Sequence, residues 1–499
     1  MAEPLRSADV VVVGGGSSGC VVAARLSENP DRSVLLLESG PGYDEVEERP
    51  VLDYRTLPIG PGSAYAATYD VEPAPGRRSD IVRGHVLGGS GAVNGAYFIR
   101  ATAADFGRWP ASWSYDTVLP YFRKLETDAD FHGPAHGADG PMPVSRQGPG
   151  SWSPISAAFR QAALDAGYPE EPDKNDGGAG GVGPVPLNIG GGRRVSTATA
   201  YLQPARGRAN LTVETRSHAV QIVLAGGAVT GVEVETGGVR RIIHTRRVVL
   251  AAGAVETPIL LLHSGIGPAE HLRDNDIAVV HDAPGVGTDF SDHPEVALPY
   301  RVRGHLPRSA TSPVVEMALD IGNLEIRPYT APFDVLVPGS GHCDPILGVG
   351  LMVSESRGDI RLTSGRRRDH PRIEYRYAHT ASDRRALREG VATGLELLRS
   401  EALSALVEPA SLEISDRSVL AHLGTSLHLC GSCRMGDAGD GNSVVDEHCD
   451  VRGVEGLTIA DTSVIPVVPS RGPHATAVMV AERVSAFLAA EGGGASPSV

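Results

Sequence analysis

The sequence predicts an α/β fold that combines a parallel sheet flanked by helices with a second, α+β domain built on a mainly antiparallel sheet. Continuous apolar runs followed by helical segments begin the chain and return near residues 250 and 457, as in a parallel sheet covered on both faces. Between residues 291 and 425 the apolar residues alternate with period two, which is typical of an antiparallel sheet. At 499 residues the chain is long enough for both domains.

The first predicted strand, Val10–Val13, leads into a glycine motif. Its four valines have no polar break, which indicates a strand buried on both faces. Gly14, Gly16 and Gly19 follow with the spacing G-x-G-x-x-G. The first glycine allows a tight turn, the second lets the backbone approach a pyrophosphate, and the third lets the next helix pack against the strand. We therefore predict a phosphate-binding turn in a Rossmann-like arrangement.

The helix and strand after this turn complete the pattern. Residues 20–26 predict a helix whose N-terminal N–H groups and positive dipole end face the phosphates. A second apolar strand, Val34–Leu37, ends in Glu38, about 20 residues past the last glycine. A carboxylate there accepts hydrogen bonds from ribose hydroxyls and repels a 2′-phosphate. Together these features predict a site for the ADP moiety of a dinucleotide.

The composition disfavours several classes of protein. The formal net charge is −15 and no basic stripe stands out, so nucleic acid is not an expected partner. No run of about 18 apolar residues is present, so we expect no transmembrane segment, while contact with the membrane surface stays open. Five scattered cysteines are too few for a disulfide scaffold in a chain of this length, and we expect a cytoplasmic protein.

The middle of the chain mixes loops with short periodic segments. Residues 41–80 show no sustained period and predict an ordered loop over a cofactor, and residues 83–100 are glycine-rich, as is backbone that lies against a planar or anionic ligand. Residues 156–166 predict an amphipathic helix. A small antiparallel sheet is predicted from four alternating segments, which are 211–213, 220–224, 229–235 and 239–244.

The later segments divide between the two domains. Residues 247–252 re-enter the parallel sheet and lead into a helix that closes at Ser264, and residues 457–460 form a last strand that ends in Asp461. Segments 347–353, 359–363 and 372–377 predict an antiparallel sheet with one wet face, and 381–400 and 474–490 predict helices, with a disordered tail at 492–499. The predicted domain ranges are 1–150 and 151–290 for two parts of the dinucleotide domain, 291–425 for the substrate domain, and 426–499 for the return to the first domain.

The chain resembles the glucose–methanol–choline (GMC) family of flavin oxidoreductases along nearly its whole length. Besides the glycine fingerprint, four stretches carry the resemblance: RGHVLGGSGAVNGAYFIR (83–100), GAVETPILLLHSGIG (253–267), HLCGSCRMG (428–436) and ADTSVIPVVPSRGPHAT (460–476). The resemblance implies FAD as the cofactor, bound by a domain assembled from discontinuous segments. Some relatives attach FAD covalently through a histidine just before the motif asparagine, where this chain has Val93, so we expect non-covalent FAD.

The resemblance also implies binding roles for particular positions. The ADP half of FAD would be held by Gly14, Gly16, Ser17, Ser18, Gly19 and Glu38, and the flavin ring and pyrophosphate would be flanked by Val86, Gly89, Ser90, Asn94, Gly95 and Ala96. Three further positions would contact the adenine side, the ribityl–pyrophosphate region and the ring, and these are Val220, Asp461 and Thr476.

Two histidines carry the chemistry in this interpretation. Oxidising an alcohol moves a hydride to flavin N5 and a proton to a base, and histidine has a suitable pKa. We expect His428 to be the base and His474 to orient the hydroxyl, with the reverse assignment as the alternative. A weaker alternative is zinc bound by the cluster His428, Cys430, Cys433, His448 and Cys449, since the metal would occupy the base, and a redox role for the C-x-x-C pair is similarly disfavoured. We therefore predict no metal site.

The expected activity is FAD-dependent oxidation of a CH–OH group, with electrons passed to an external acceptor other than oxygen. The short chain resembles the actinobacterial members associated with the peptide-derived redox cofactor mycofactocin, which suggests reduced mycofactocin as substrate and a link to the respiratory chain. A general alcohol or choline-type dehydrogenase or oxidase is the main alternative. A hydroxynitrile lyase, which keeps FAD without reducing it, is a remote one.

Overall fold

The structure is a computed structural model that describes residues 6–178, 180–304, 306–409 and 411–491, so the tail at 492–499 lies outside the described residues. Within these ranges no helix combines the length and apolar character that a membrane crossing requires. The α-helices are Ser17–Leu26, Arg49–Leu52, Ala103–Phe106, Tyr115–Leu125, Pro154–Asp165, Gln203–Ala205, Gly253–His263, Ala269–Asp274, Phe333–Leu336, Ala381–Arg399, Glu401–Ser404, Asp416–Ala421 and His474–Glu491.

A five-stranded parallel sheet confirms the predicted α/β architecture. Val11 and Val12 in its central strand have no exposed surface, as expected for a parallel sheet covered on both faces. The prediction that residues 211–213 join the small antiparallel sheet is wrong, because this edge strand pairs in parallel with the second strand of the chain. The strand order is Leu211–Glu214, Val34–Leu37, Val10–Val13, Val248–Leu250 and Leu457–Ile459.

The small antiparallel sheet has three strands rather than four. They are Ser217–Ala225, Ala228–Thr236 and Val239–His244, which pair in chain order. Shorter strand pairs lie elsewhere and are Glu126–Asp128 with Met142–Val144, Ile189–Gly190 with Arg193–Arg194, and Ile266–Gly267 with His281–Asp282.

The second domain is built on a seven-stranded sheet covered by the helix Ala381–Arg399. The predicted apolar stripe of that helix is buried, and a Cβ on Gly390 would lie 2.7 Å from Val349 Cγ1, so the helix packs closely on the strand Ile346–Leu351. The predicted wet face at 347–353 is wrong, because this strand is central and buried from its second residue on. The strand order is Val407–Pro409, Pro294–Val302, Ile346–Leu351, Leu324–Pro328, Met317–Ile321 and Val182–Pro184, with Leu423–Thr425 also pairing to Pro294–Val302.

A long hairpin replaces part of the loop predicted at 41–80. Its strands, Ala66–Ala74 and Arg77–Gly84, pair antiparallel and extend a sheet with Arg372–Glu374 and Asp359–Arg361. Both hairpin strands keep charged residues on partly exposed positions, which hides the period-two signal in the sequence. The hairpin joins the N-terminal part of the chain to strands from the region predicted as the substrate domain.

Candidate active site

The glycine turn after the first strand allows the helix to pack very closely. Gly14 has a φ of +100°, which favours glycine, and a Cβ on Gly19 would lie only 1.8 Å from the Gly14 carbonyl oxygen. The helix Ser17–Leu26 begins directly after Gly16, three residues before the predicted start. Ser17 and Ser18 therefore lie in its first turn, where backbone N–H groups lack partners within the helix and suit a phosphate.

The second glycine-rich segment lies directly against this turn. The N–H of Gly88 donates to the Gly15 carbonyl at 2.7 Å, and a Cβ on Gly89 would lie 2.7 Å from the Cα of Gly16. Ser90 follows in the short 3-10 turn at 89–92. The fold thus brings together two motifs that are some 70 residues apart in the sequence, and it does so through backbone atoms, as a binding surface for a flat, anionic ligand requires.

Glu38 is fixed at the end of its strand. One carboxylate oxygen accepts from the Gly15 N–H and the other from the Gly40 N–H, both at 2.7 Å. Burial raises the pKa of Glu38, and these two N–H bonds oppose that rise. A carboxylate has about four acceptor positions, so two remain for ribose hydroxyls. Val86 is fully buried beside this region.

Val220 lies at an irregularity of its strand, and Asp461 closely follows the last strand of the parallel sheet. The strand register shifts between residues 219 and 221, which leaves Val220 out of the ladder and its backbone available. Asp461 accepts from Gly253 N–H at 2.9 Å, Thr257 Oγ1 at 2.6 Å and Ser463 N–H at 2.8 Å. The observed bonds of Asp461 therefore tie the last parallel strand to the helix Gly253–His263.

His474 begins the C-terminal helix and points one ring nitrogen into the protein. Its Nδ1 lies 3.2 Å from Asn94 Nδ2, and the Phe98 ring meets its ring edge to face at 5.1 Å. Its Nε2 and the Oγ1 of Thr476 are buried and have no hydrogen-bond partner among the described residues. A Cβ on Gly91 would lie 2.7 Å from that Nε2, so only glycine leaves room there.

His428 is held from two sides. Its backbone N–H donates to Asp292 Oδ1 at 2.7 Å, and its Nδ1 lies 2.9 Å from Nδ1 of His293. The other ring nitrogen of His293 lies 2.9 Å from the carbonyl oxygen of Pro469. A Cβ on Gly472 would lie 3.7 Å from His428 Nε2. The free edge of His428 therefore faces the loop that leads into the C-terminal helix.

That loop, residues 469–474, is anchored by further contacts. Ser470 donates through its N–H and its Oγ to the carboxylate of Asp105, at 2.8 and 2.9 Å. Arg471 pairs with Asp320 of the strand Met317–Ile321 at 2.6 Å. The loop is thus bonded both to the helix Ala103–Phe106 and to the large antiparallel sheet, and it passes the free edge of His428 before it reaches His474.

Both histidines are held in the neutral form. Burial lowers the pKa of His428 well below its ordinary value, and His293, Arg327 and Arg83 lower it further. Burial alone lowers the pKa of His474 to about 4. Each ring therefore has one N–H donor and one lone pair at neutral pH.

The residues around this site fit the FAD that the sequence resemblance implies. Two buried polar atoms, His474 Nε2 and Thr476 Oγ1, lack partners within the described ranges and suit the edge of a heterocycle or a substrate oxygen. The glycine backbone contacts and the carboxylate of Glu38 suit a pyrophosphate and a ribose. These donors and acceptors match the needs of an adenine dinucleotide at three separate points.

The zinc alternative lacks a geometric basis. Among the described residues, no three metal-type donors that include His428, Cys430 or Cys433 lie within 4.8 Å of one another. Burial raises the pKa of both cysteine thiols well above the ordinary value, which disfavours the thiolate that a metal needs.

A buried charge cluster lies elsewhere. Donor atoms of Glu126, Asp128 and His136 lie within 4.8 Å of one another. Arg100 pairs with Glu126, and Arg146 pairs with Asp128 at 2.9 Å, so guanidinium groups already neutralise these carboxylates. The cluster is therefore an ion-pair network within the protein.

Two residues of the site were not singled out from the sequence. Asp292 and His293 are adjacent and stand just before the strand Pro294–Val302, and the only signal is a pair of polar residues at the start of an apolar strand. Such a pair is common in turns. Its link to His428, more than 130 positions later, is visible only in three dimensions.

Comparison with known protein sequences identifies the family of this chain. The GMC oxidoreductase family models match residues 8–295 and 354–481. An uncharacterized GMC-type oxidoreductase of Rhodococcus erythropolis is 52% identical over 484 residues, covering 96% of this chain and 98% of that protein. The oxygen-dependent choline dehydrogenase of Escherichia coli K12 is 33% identical over 542 residues, covering 96% and 95%.

Solved structures of other proteins share the fold of this chain. Pyridoxine 4-oxidase from Mesorbium loti superposes with a TM-score of 0.90 at 28% identity, covering 97% of this chain and 99% of that one. Formate oxidase of Aspergillus oryzae, studied for modification of its FAD, gives a TM-score of 0.87 at 25% identity, covering 98% and 99%. The chain belongs to the GMC oxidoreductase family and is an FAD-dependent alcohol oxidoreductase.

Proposed function

We propose that this enzyme oxidises an alcohol whose hydroxyl group lies between Nε2 of His428 and Nε2 of His474. FAD, when bound, supplies the oxidant that accepts a hydride from the carbinol carbon. His428 takes the hydroxyl proton at Nε2, and His474 donates a hydrogen bond to the same oxygen as negative charge develops on it. The observation that supports this most is the buried, unpartnered Nε2 of His474.

The protonation of His474 follows from its neighbours. The N–H of Ala96 donates to Oδ1 of Asn94 at 2.9 Å, so the other end of the amide, the NH₂ group, faces His474. Nδ1 of His474 then accepts from Asn94 Nδ2, and the ring proton resides on Nε2. This tautomer supports the role of donor for His474 and disfavours the reverse assignment, in which it would be the base.

His428 is suited to the complementary role of base. Burial lowers the pKa of His428 well below its ordinary value, so the neutral ring with one lone pair predominates near neutral pH. A base of low pKa is a weak proton acceptor toward a free alcohol. It therefore accepts the proton as the hydride leaves, while the hydrogen bond from His474 stabilises the oxygen.

The binding roles inferred from the family motifs remain part of the proposal. Ser17, Ser18 and Glu38 would hold the ADP half, with Val220 at the adenine, and Thr476 would lie at the ring. We also propose that FAD is bound non-covalently, since Val93 offers no nucleophile where some relatives attach the flavin. Denaturation with acid should release yellow flavin into the supernatant, and colour that stays in the protein pellet would contradict this.

We propose an uncharged alcohol rather than choline as the substrate. A quaternary ammonium ion is attracted by an uncompensated carboxylate near the site. Glu295, on the strand that follows His293, already accepts from Ser426 Oγ at 2.7 Å and from Tyr329 at 3.0 Å, and it pairs with Arg327. Its negative charge is therefore compensated within the protein.

The sequence resemblance bears on the electron acceptor and on the natural substrate. We propose an acceptor other than oxygen, with reduced mycofactocin as a candidate substrate on the sequence resemblance alone. A cytoplasmic location with contact at the membrane surface would suit a quinone acceptor. An acceptor screen with oxygen, quinone analogues and dyes after anaerobic reduction distinguishes an oxidase from a dehydrogenase.

The main test is anaerobic stopped-flow reduction of the flavin by a panel of alcohols. His428→Ala should keep bound FAD and lose at least about 100-fold in the limiting rate of flavin reduction, because it removes the base. His370→Ala, at an exposed position, is the matched control and should behave as wild type. Near-normal reduction in His428→Ala would remove His428 from the mechanism. Cyanide release from cyanohydrins without flavin reduction would favour a lyase instead.

A further inference from the structure

His293 is a buried histidine that lies between His428 and the loop at 469–474. The residue has no exposed surface, each of its ring nitrogens has a partner at hydrogen-bond distance, and the backbone of Met352 also acts on the ring. Nδ1 lies 2.9 Å from Nδ1 of His428, and Nε2 lies 2.9 Å from the carbonyl oxygen of Pro469. The two imidazole rings meet edge to face, with centroids 5.1 Å apart.

The carbonyl oxygen of Pro469 fixes where the protons lie. A carbonyl oxygen only accepts, so Nε2 of His293 must carry the proton at this contact. A neutral imidazole has one N–H, which leaves Nδ1 of His293 as an acceptor. Nδ1 of His428 must then donate to it, and Nε2 of His428 is left with a lone pair. The opposite arrangement, with the proton of His293 on Nδ1, would place two acceptors against each other at the Pro469 contact.

Burial keeps both rings neutral, as this arrangement requires, and nearby cations add to the effect. Burial lowers the pKa of His293 to about 3, with Arg327 lowering it and Asp105 opposing. His428 faces the cations Arg327 and Arg83 from other elements. The nearby carboxyl group of Asp292 has its pKa raised to about 6 by burial, and it accepts from the backbone N–H groups of both histidines rather than from their rings.

We propose that His293 is a positioning residue that holds His428 in the tautomer with a free Nε2 lone pair, and so prepares it to act as the base. This inference deepens the proposed function and rests on it. The Nε2 side of His428 faces Gly472 and the loop to His474. Pro469 belongs to the same loop. The hydrogen bonds from Pro469 through His293 to His428 therefore fix the proton position of the base, and they also hold the loop that ends at the donor His474.

Two variants separate this role from simple packing. His293→Phe keeps a ring of similar size but offers no acceptor to His428. His293→Gln offers an amide oxygen to His428 and an N–H to Pro469, and so keeps both bonds. We expect a limiting rate of flavin reduction about 10- to 100-fold lower in His293→Phe, since the reactive tautomer loses its partner. Substrate Kd and FAD content should stay close to wild type, and His293→Gln should recover most of the rate.

The second readout does not depend on turnover. Two-bond ¹⁵N–¹H correlation spectra of histidine-labelled resting enzyme report which ring nitrogen carries each proton, and loss of a signal set in His428→Ala assigns His428. We expect His428 in wild type and in His293→Gln to carry its proton on Nδ1. In His293→Phe, the Nε2–H form should appear. This measurement holds for wild type even if His293→Phe does not fold.

The outcomes separate the two proposals. If His428 carries its proton on Nε2 in the resting wild-type enzyme, or if His293→Phe reduces its flavin at the wild-type rate, the positioning role is overturned. If no alcohol reduces the wild-type flavin, the proposed function fails. The tautomer of His428 in the three proteins still tests the role of His293, because those spectra need no substrate.

Discussion

Replacing Asn94 with aspartate is expected to give flavin reduction a pH dependence that the wild-type enzyme lacks. In wild type, the amide NH₂ of Asn94 lies 3.2 Å from Nδ1 of His474 and keeps the ring proton on Nε2. An aspartate at this position keeps the acceptor for the Ala96 N–H but presents an anionic oxygen to the ring. The perturbation therefore changes one donor into one acceptor with almost no change in size.

The short distance between residue 94 and the His474 ring sets the size of the expected change in pKa and in rate. Burial lowers the pKa of His474 to about 4 in wild type. An opposite charge at hydrogen-bond distance raises a pKa by about 1 to 3, which places the new value at about 5 to 7. At pH values below this pKa, His474 of the variant is an imidazolium and keeps its Nε2–H. At higher pH the ring is neutral, and its one remaining proton lies on Nδ1 beside the carboxylate. The variant therefore loses its donor as pH rises, and reduction should slow by about 10²- to 10³-fold.

Stopped-flow reduction between pH 5 and 9 measures this, with FAD content checked by absorbance. Asn94→Leu is the matched control, because it removes the amide without adding a charge and should give a slower rate that does not change across the same range. If Asn94→Asp retains full FAD and shows the wild-type pH profile, then His474 does not act as an Nε2–H donor and the reasoning from tautomers is wrong.

Two further predictions concern stability. Glu482→Gln removes a buried carboxylate that binds Arg25 at 2.7 Å and Lys124 at 2.9 Å, and it should lower the free energy of unfolding by about 3 kcal/mol; an unchanged urea midpoint would contradict this. The pKa of His136 is raised, first by Glu126, so its stabilisation is present below the ordinary pKa and lost as pH rises through the folded value. His136→Gln should therefore cost about 1.5–3 kcal/mol near pH 6 and less at pH 9, and an equal loss at both pH values would refute the charge assignment.

The parallel sheet could be predicted from the sequence because its signals are local. Val10–Val13 and Val34–Leu37 have the predicted bounds, since continuous apolar runs admit few alternatives. The strand at 211–214 was assigned to the wrong sheet, because a four-residue segment at an edge alternates whichever sheet it joins. The hairpin at 66–84 was missed since its charged, half-exposed strands lack a clear apolar face.

Only part of the candidate site could likewise be predicted from the sequence. Motif spacing pointed to His428 and His474, and the structure places them at the two sides of one loop. Sequence alone left open which is the base, because that depends on protons set by Asn94, His293 and a backbone carbonyl. These partners lie 380 positions from His474 and 135 from His428, beyond the range of any local pattern.

The order of strands in the parallel sheet has a consequence for synthesis. The strand Leu457–Ile459 closes the sheet beside Val248–Leu250, yet it is made almost at the end of translation. At about 5–20 residues per second, the ribosome needs roughly 10–40 s to pass from Leu250 to Leu457. During that time Val248–Leu250 remains an open, fully apolar sheet edge, which is a hazard for misassembly. Nascent chains of this enzyme should therefore depend on chaperones until the last strand emerges, and cofactor loading should follow release from the ribosome.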